Sequence, residues 1–160
     1  GGGLPVGAFG GKREIMECIA PLGAVYQACT LSGNPLAMAA GLTMLNQVRE
    51  AGFYDKLDAM AKRLMAGFEA EAEKAGIALT TNQVGGMFGF FFSEEKNISR
   101  FAQVGNCNLE RFKQFYHLML EEKFYLAPSA YEAGFISSTH TDALIDETIA
   151  AAGRAFAKLK

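Results

Sequence analysis

The sequence has few residues of the kinds that build metal sites, and it has no long apolar run. It holds two histidines and three cysteines in 160 residues, and Cys18, Cys29 and Cys107 show none of the short spacings of a zinc site. We therefore expect no metal and reduced thiols in a cytoplasmic protein. No apolar run approaches the roughly 20 residues of a membrane-spanning helix, so we expect no membrane partner.

Charge of one sign and the common hydrolase signatures are missing as well. The formal net charge is −2, without the basic stripe typical of nucleic-acid binding, so we expect no nucleic-acid partner. The GxSxG motif is absent, which removes the most recognisable serine nucleophile. Neither a signal peptide nor an initiator methionine is present, and we interpret the N-terminus as processed or trimmed.

The chain does have an unusual run of glycine. Six of the first eleven residues, GGGLPVGAFGG, are glycine. The run lacks the spacing of a phosphate-binding P-loop, so it is weak support for a phosphate cradle. Glycine here is typical either of a linker or of backbone that passes close to another group. We favour a tight, buried backbone path.

Hydrophobic periodicity predicts five helical segments. The first spans 12–20. A second begins at Asn34-Pro35, where a capping side chain precedes proline, and Gly52 stops it. Its early part is apolar nearly all round, so we expect it to be buried. The other three span 55–75, with Gly76 as the C-terminal cap, 109–123, and a last segment from Thr141 to about residue 159.

The later sequence alternates these helices with short strand patterns. We predict strands at 77–81, 86–92, 124–129 and 133–138, and a helical turn at 101–105. From about residue 53 the order is typical of an α+β unit, an antiparallel sheet with helices on one face. Residues 1–52 do not form such a unit, because they hold a glycine-rich loop and a helix with excess apolar surface. The sequence therefore predicts a boundary between 52 and 53.

Two stretches could carry chemistry. In QACTLSGNP, Thr30 and Ser32 place hydroxyls before a helix N-terminus, where unpaired N–H groups attract an anion. Plain capping by Ser32 or Asn34 explains the same pattern. In YLAPSAYEAGF, Glu132 lies in an apolar setting and could bind a substrate amine, although a solvated carboxylate at a turn is the alternative. Ser129 is either a ligand or a turn residue.

Four segments in this order resemble the glutamate-1-semialdehyde 2,1-aminomutase (glutamate-1-semialdehyde aminotransferase) family of class-III pyridoxal-phosphate (PLP) aminotransferases. They are GGGLPVGAFGGKREIM, APLGAVYQACTLSGNPLAMAAGL, VGGMFGFFF and YLAPSAYEAGFISSTHT. The segment TLSGNPLAMAAGL is shared with related class-III enzymes, whereas LAPSAYEAGF is more specific. The resemblance runs from end to end of the chain.

The resemblance implies a fold-type-I PLP transferase, of which this chain is a C-terminal part. Residues 1–52 would end the large PLP-binding domain with its connecting helix, and 53–160 would be the small α+β domain. The implied reaction converts (S)-4-amino-5-oxopentanoate, which is glutamate-1-semialdehyde, to 5-aminolevulinate for tetrapyrrole synthesis, with PLP or its pyridoxamine form as cofactor. In the family, the Schiff-base lysine precedes the glycine run by three residues, so it would lie before Gly1. We therefore expect the chain alone to be inactive.

The resemblance also assigns site residues in a homodimer. Thr30 matches a threonine that binds the phosphate of the neighbouring subunit's cofactor. Cys29 stands where the family has glycine, and its side chain could crowd that phosphate. Glu132 matches a glutamate at the substrate pocket. A related class-III ω-aminotransferase or decarboxylase, or a non-enzymatic anion-binding module, remain the alternatives.

Overall fold

The computed structural model describes residues 1–159 and divides the chain into two compact units, residues 1–51 and residues 52 onward. The first unit contains helices and loops, and the second combines helices with a small antiparallel sheet. The predicted assignment of 1–52 to a large domain and 53–160 to a small domain stays a prediction. Each unit is described separately below.

The first unit has two helices. Helix α1 is Arg13–Met16 and helix α2 is Pro35–Val48. The helix predicted over 12–20 is too long, because the chain turns after Met16 and the Val25 N–H donates to the Cys18 carbonyl at 2.9 Å. Helix α2 begins where it was predicted: Asn34 Oδ1 accepts from the N–H groups of the second and third helical residues. It ends before the predicted stop at Gly52.

The expectation that the early part of α2 is buried is wrong for the described residues. Ala37 is its one buried residue, while Leu36 is 73% exposed and Leu42 is 61% exposed. An apolar helix is buried only where a second surface covers it. Within residues 1–51, no helix or strand covers this face of α2.

The glycine run is the segment that approaches α2 closely. A Cβ added to Gly2 would lie 2.3 Å from the Ala40 carbonyl oxygen, and Gly2 has a φ of +61°. Both features require glycine at this position. The backbone therefore passes close to α2 at Gly2, whereas a Cβ added to Gly3, Gly7 or Gly10 would meet no atom within 4 Å. The expectation that the glycine run is buried is wrong, since Gly1 and Gly3 are exposed and Gly2 is half-buried.

The second unit contains the remaining seven elements. Most follow the sequence pattern, including α3 with Gly76 directly after its end. The predicted strand over 124–129 is wrong, because these residues form an irregular segment and a turn. In order, the elements are α3 Phe53–Lys74, β1 Thr80–Val84, β2 Met87–Phe91, α4 Phe101–Gly105, α5 Leu109–Glu121, β3 Gly134–Phe135 and α6 Asp142–Lys158.

The three strands form an antiparallel sheet in the order β1-β2-β3. In the hairpin, Thr80 pairs with Phe91 and Val84 pairs with Met87, so the tight turn falls on Gly85 and Gly86. The strand predicted over 77–81 therefore starts and ends three residues too early. Strand β3 is shorter than the predicted 133–138, and it pairs Gly134 with Phe88.

The core of this unit lies where α3, α5 and α6 pack together and against the sheet. Phe68 of α3 contacts Phe115 of α5 at a ring-centroid distance of 6.0 Å. Phe115 stacks on Phe156 of α6 at 4.6 Å with an interplanar angle of 17°. In the predicted strand 86–92, Phe88 and Phe92 are buried in this core, whereas Phe90 and Phe91 are half-buried. The amphipathic faces of the three helices thus close over one interior.

Candidate functional site

Glu132 lies on a short turn that leads into strand β3. Its backbone N–H donates to the Ser129 carbonyl at 3.1 Å, and the Tyr131 N–H donates to the Ser129 hydroxyl oxygen at 3.2 Å. Pro128 precedes the turn, with its φ restricted by its ring. Serine after proline is a common turn former, because its side chain accepts from the backbone two residues on. The turn interpretation of Ser129 is confirmed.

The C-terminal side of this turn is fixed to the sheet. Gly134 pairs with Phe88, and a Cβ added to Gly134 would lie 2.3 Å from the Phe88 ring. The buried Ile136 donates its N–H to the Gly86 carbonyl at 2.8 Å. Glu132 is therefore held between a turn on one side and a strand on the other.

Two apolar cavities open beside Glu132, which lines both. One has a volume of about 310 Å³ and includes Phe112, Phe124 and His140 in its wall. The other has a volume of about 220 Å³ and lies toward Phe101 and Tyr131. The two cavities share a wall formed by Phe88, Gly89, Ala130, Glu132 and Ala133.

The Glu132 carboxylate is available to a ligand. The residue is exposed, and within residues 1–159 the structure shows no hydrogen bond or ion pair to its carboxylate. A carboxylate at the edge of an apolar cavity can accept from an ammonium or hydroxyl group that enters with its apolar part against the wall. This arrangement suits an amino compound better than a phosphate.

Cys29 and Thr30 lie in the first unit, in the loop that precedes α2. The Ser32 N–H donates to the Cys29 carbonyl at 3.0 Å, and the Asn34 N–H donates to the Leu31 carbonyl at 3.0 Å. In the part of the chain that the structure describes, no acceptor is found for the Thr30 hydroxyl or for the N–H groups of Thr30, Leu31 and Gly33. Both Cys29 and Thr30 are exposed.

These groups have the chemistry that would suit the phosphate of PLP, the cofactor that the resemblance implies. A hydroxyl and several free backbone N–H groups before a helix N-terminus are the donors that an oxyanion needs. Asn34 caps the helix at the same time, because it uses the Leu36 and Ala37 N–H groups and not those of the loop. The anion and capping interpretations are therefore compatible. Cys29 lines a cleft of about 940 Å³ together with Ser32 and Gly33.

The remaining cysteines and acidic groups do not form a second centre. All three cysteines have free thiols, and burial raises the pKa of the Cys107 thiol, which keeps it protonated. Across residues 1–159, no group of three or more His, Cys, Asp or Glu could hold a metal ion. No helix in the same range is long and apolar enough to cross a membrane.

The structure places the candidate residues in different units: Cys29 and Thr30 in the first, Ser129 and Glu132 in the second. Sequence reasoning missed the cavities beside Glu132. The cavity walls include residues of the predicted strands 86–92 and 133–138, and nothing in a one-dimensional pattern distinguishes a cavity wall from a filled interior. The alanine and glycine residues around Glu132 were the available signal, since small side chains leave space.

Comparison with known proteins places the chain in a family. Residues 1–124 match the family aminotransferase class-III. The fold is similar to an omega-transaminase from Sphaerobacter thermophilus, with a TM-score of 0.79 and 24% identity over 98% of this chain and 36% of that one. It is also similar to a beta-phenylalanine aminotransferase from Variovorax paradoxus, with a TM-score of 0.75 and 24% identity over 91% of this chain and 33% of that one.

A third solved structure, a transaminase with PLP bound, matches with a TM-score of 0.71 and 18% identity over 91% of this chain and 33% of that one. The chain thus spans about a third of the length of the structures that it matches. Its fold is part of a fold-type-I PLP transferase, with the predicted mix of helices and a small antiparallel sheet. The chain belongs to the class-III aminotransferase family.

Proposed function

We propose that this chain is part of a PLP-dependent aminomutase that converts glutamate-1-semialdehyde to 5-aminolevulinate in tetrapyrrole biosynthesis. The observation that carries the proposal is the turn at 129–132. The segment LAPSAYEAGF, the most specific part of the resemblance, forms the turn that presents an unpaired carboxylate beside two cavities. The substrate carries an amino group that such a carboxylate can bind.

In this proposal Glu132 binds and orients the amino group of the substrate. The carboxylate is exposed before the substrate enters, so it exchanges water for an ammonium group and not for an apolar surface. Charge-assisted hydrogen bonds of this kind are directional and among the stronger ones in proteins. Glu132 would thereby fix which end of the substrate faces the cofactor.

The cofactor would be held in part by the loop before α2. We assign Thr30, with the backbone beside Cys29, to the phosphate of the PLP bound by the neighbouring subunit of a cytoplasmic homodimer. When bound, PLP supplies the electron sink for moving the amino group. The Cys29 side chain, which stands where the family has glycine, would crowd that phosphate. Residues 1–160 alone are expected to be inactive, because the resemblance places the Schiff-base lysine outside them.

A related ω-aminotransferase is the second candidate, and a specific observation favours it. The omega-transaminase from Sphaerobacter thermophilus matches 98% of this chain with a TM-score of 0.79. The aromatic wall of the larger cavity would accommodate the apolar part of an amine donor. In this case Glu132 would bind the donor's ammonium group, and no 5-aminolevulinate would form.

The two candidates are separated by a product assay on the intact protein that contains this chain. The protein is loaded with the pyridoxamine form of the cofactor and given glutamate-1-semialdehyde, and in parallel it is loaded with PLP and given an amine panel with a keto-acid acceptor. The proposal predicts 5-aminolevulinate without any keto acid. Transamination of amines without 5-aminolevulinate would contradict it and support the second candidate.

The role of Glu132 is tested in the same assay by Glu132→Gln. Loss of a hydrogen bond to a charged group costs about 1.5–3 kcal/mol, so KM should rise about tenfold or more. Glu147→Gln is the matched control, because Glu147 is also exposed and lies on α6, outside both cavity walls. Equal KM values for the two variants would remove Glu132 from the substrate site.

A further inference from the structure

Ser129 makes two hydrogen bonds that close the turn carrying Glu132. Its hydroxyl oxygen accepts from the Tyr131 N–H at 3.2 Å, and its carbonyl accepts from the Glu132 N–H at 3.1 Å. The first bond depends on the side chain and the second on the backbone alone. Substitution at this position can therefore remove one bond and leave the other in place.

Neighbouring residues have no side chain that could replace the hydroxyl. Pro128 and Ala130 flank Ser129, and neither carries a side-chain acceptor. The Tyr131 N–H has no other acceptor among residues 1–159, and the Tyr131 ring contacts Phe101 at a centroid distance of 5.5 Å. Ser129 also lines the larger cavity together with Glu132. The hydroxyl thus makes the one side-chain hydrogen bond within the turn from 129 to 132.

We propose that Ser129 is a positioning residue whose hydroxyl fixes the turn so that the Glu132 carboxylate is presented to the substrate before binding. This inference rests on the proposed role of Glu132. Without the hydroxyl, the Tyr131 N–H loses its acceptor and the turn keeps a single bond. The carboxylate then samples more orientations, and substrate binding must order it. The effect falls on KM, with kcat less affected.

The test is a double-mutant cycle on the intact, cofactor-loaded protein, with Ser129→Ala, Glu132→Gln and the combined variant. Loss of a neutral hydrogen bond predicts a rise in KM of about three- to tenfold for Ser129→Ala. In the Glu132→Gln background the same change should have almost no effect, because there is no carboxylate left to position. Ser129→Thr keeps a hydroxyl and should restore KM to within about twofold of the parent.

Amide hydrogen exchange gives a readout that does not depend on turnover. Ser129→Ala should speed exchange of the Tyr131 amide, and Ser129→Thr should not. The matched control is Ser138→Ala, because Ser138 is exposed and makes no hydrogen bond within the described residues. It should change neither KM nor the exchange of the turn.

Three results would overturn the assignment of Ser129: additive effects of Ser129→Ala and Glu132→Gln, no rescue by threonine, or unchanged exchange at Tyr131. Failure of the proposed function is a separate result, namely no 5-aminolevulinate from the parent protein. In that case the cycle is run with the amine donor that the protein does accept. The coupling of the two substitutions then decides the role of Ser129 alone.

Discussion

The two units of this chain bury apolar side chains to very different extents. The second unit packs aromatic, methionine and alanine side chains from three helices and a sheet into one core. In the first unit, Ala37 is the one buried hydrophobic residue that the structure describes. The same unit leaves Phe9, Leu22 and Tyr26 at least 64% exposed. One chain thus contains a region with its own interior and a region without one.

This difference indicates which of the candidate site residues depend on surfaces outside their own unit. The turn with Glu132 lies on the unit that has a core, so its geometry comes from contacts within residues 52–159. The loop with Thr30 precedes a helix whose apolar face has no cover within residues 1–51. The structures that the chain matches are about three times as long. We therefore propose that surfaces outside this chain complete the first unit and order Thr30.

The two units should differ most in whether they unfold cooperatively when each is expressed alone. Residues 52–160 expressed alone should unfold in urea as one cooperative transition, because their core is complete. Residues 1–51 expressed alone should show no cooperative transition, because burying Ala37 cannot offset the loss of backbone entropy. Circular dichroism against urea measures both. A cooperative transition for residues 1–51 would break the comparison.

A single core substitution should weaken the second unit strongly. Phe115 is fully buried between Phe68, Phe92 and Phe156. Phe115→Ala should lower the free energy of unfolding of residues 1–160 by about 3–5 kcal/mol through lost burial and a cavity. In contrast, Phe101 is 78% exposed and contacts only Tyr131 among the described rings, so Phe101→Ala should change it by about 1 kcal/mol or less. Equal losses in urea titrations would show that this core does not dominate stability.

Two Gly→Ala substitutions, one in each unit, should differ in their cost to the free energy of unfolding by a smaller amount. Gly134→Ala would force a Cβ to within 2.3 Å of the Phe88 ring, so it should cost about 1–3 kcal/mol of unfolding free energy through overpacking. Gly10→Ala, in the first unit, meets no atom within 4 Å and should be nearly neutral. Thermal melting of residues 1–160 measures both variants. A neutral Gly134→Ala would mean that β3 is not held tightly on β2.

The smallest expected change is in how stability depends on pH, and it arises at the ion pair between Glu122, which directly follows α5, and Arg154 of α6. Hydrogen bonds from Arg154, at 2.8 Å and 2.6 Å, lower the pKa of Glu122, with a further contribution from Lys158. Because the folded-state pKa is lowered, the pair stabilises the protein above the ordinary glutamate range. That contribution is lost as the pH falls through the folded-state pKa.

Glu122→Gln should therefore reduce stability near neutral pH and flatten its decline on acidification. Urea titrations across this pH range measure the effect. Glu121→Gln is the matched control, because Glu121 is exposed and has no ion pair among the described residues. Parallel pH profiles for the parent protein and Glu122→Gln would show that the pair contributes nothing.

Much of the fold could be predicted because its signals are local. Asn34-Pro35 marks the start of α2, Gly76 follows α3, and Thr141 caps α6 through a 3.3 Å bond from the Leu144 N–H. These caps depend on residues a few positions apart. The helix predicted over 55–75 matches α3, Phe53–Lys74, to within two residues at each end for the same reason, because the helical period is set by the helix itself.

The predictions were wrong where contacts between residues far apart in sequence determine the structure. The strand predicted over 124–129 has the right residue types, but no strand pairs with it, and a strand needs a partner. The predicted burial of α2 needed a covering surface that residues 1–51 do not supply. The residue types at Thr30 and Glu132 indicated possible ligand groups. Their free donors and the cavities beside the carboxylate follow from tertiary structure and could not be read from the pattern.

We propose that this chain supplies part of a PLP site, and substitution of Thr30 is the sharpest test of that role. The measurement is the dissociation constant of PLP from the intact protein, for the parent and for Thr30→Val. Thr43→Val is the control, because the Thr43 hydroxyl donates to the Ala39 carbonyl within α2. Losing a hydrogen bond to a charged phosphate costs about 1.5–3 kcal/mol. We expect Thr30→Val to raise the dissociation constant about tenfold or more and Thr43→Val to leave it unchanged. If the dissociation constant of PLP is unchanged in both variants, Thr30 does not bind the phosphate of the cofactor.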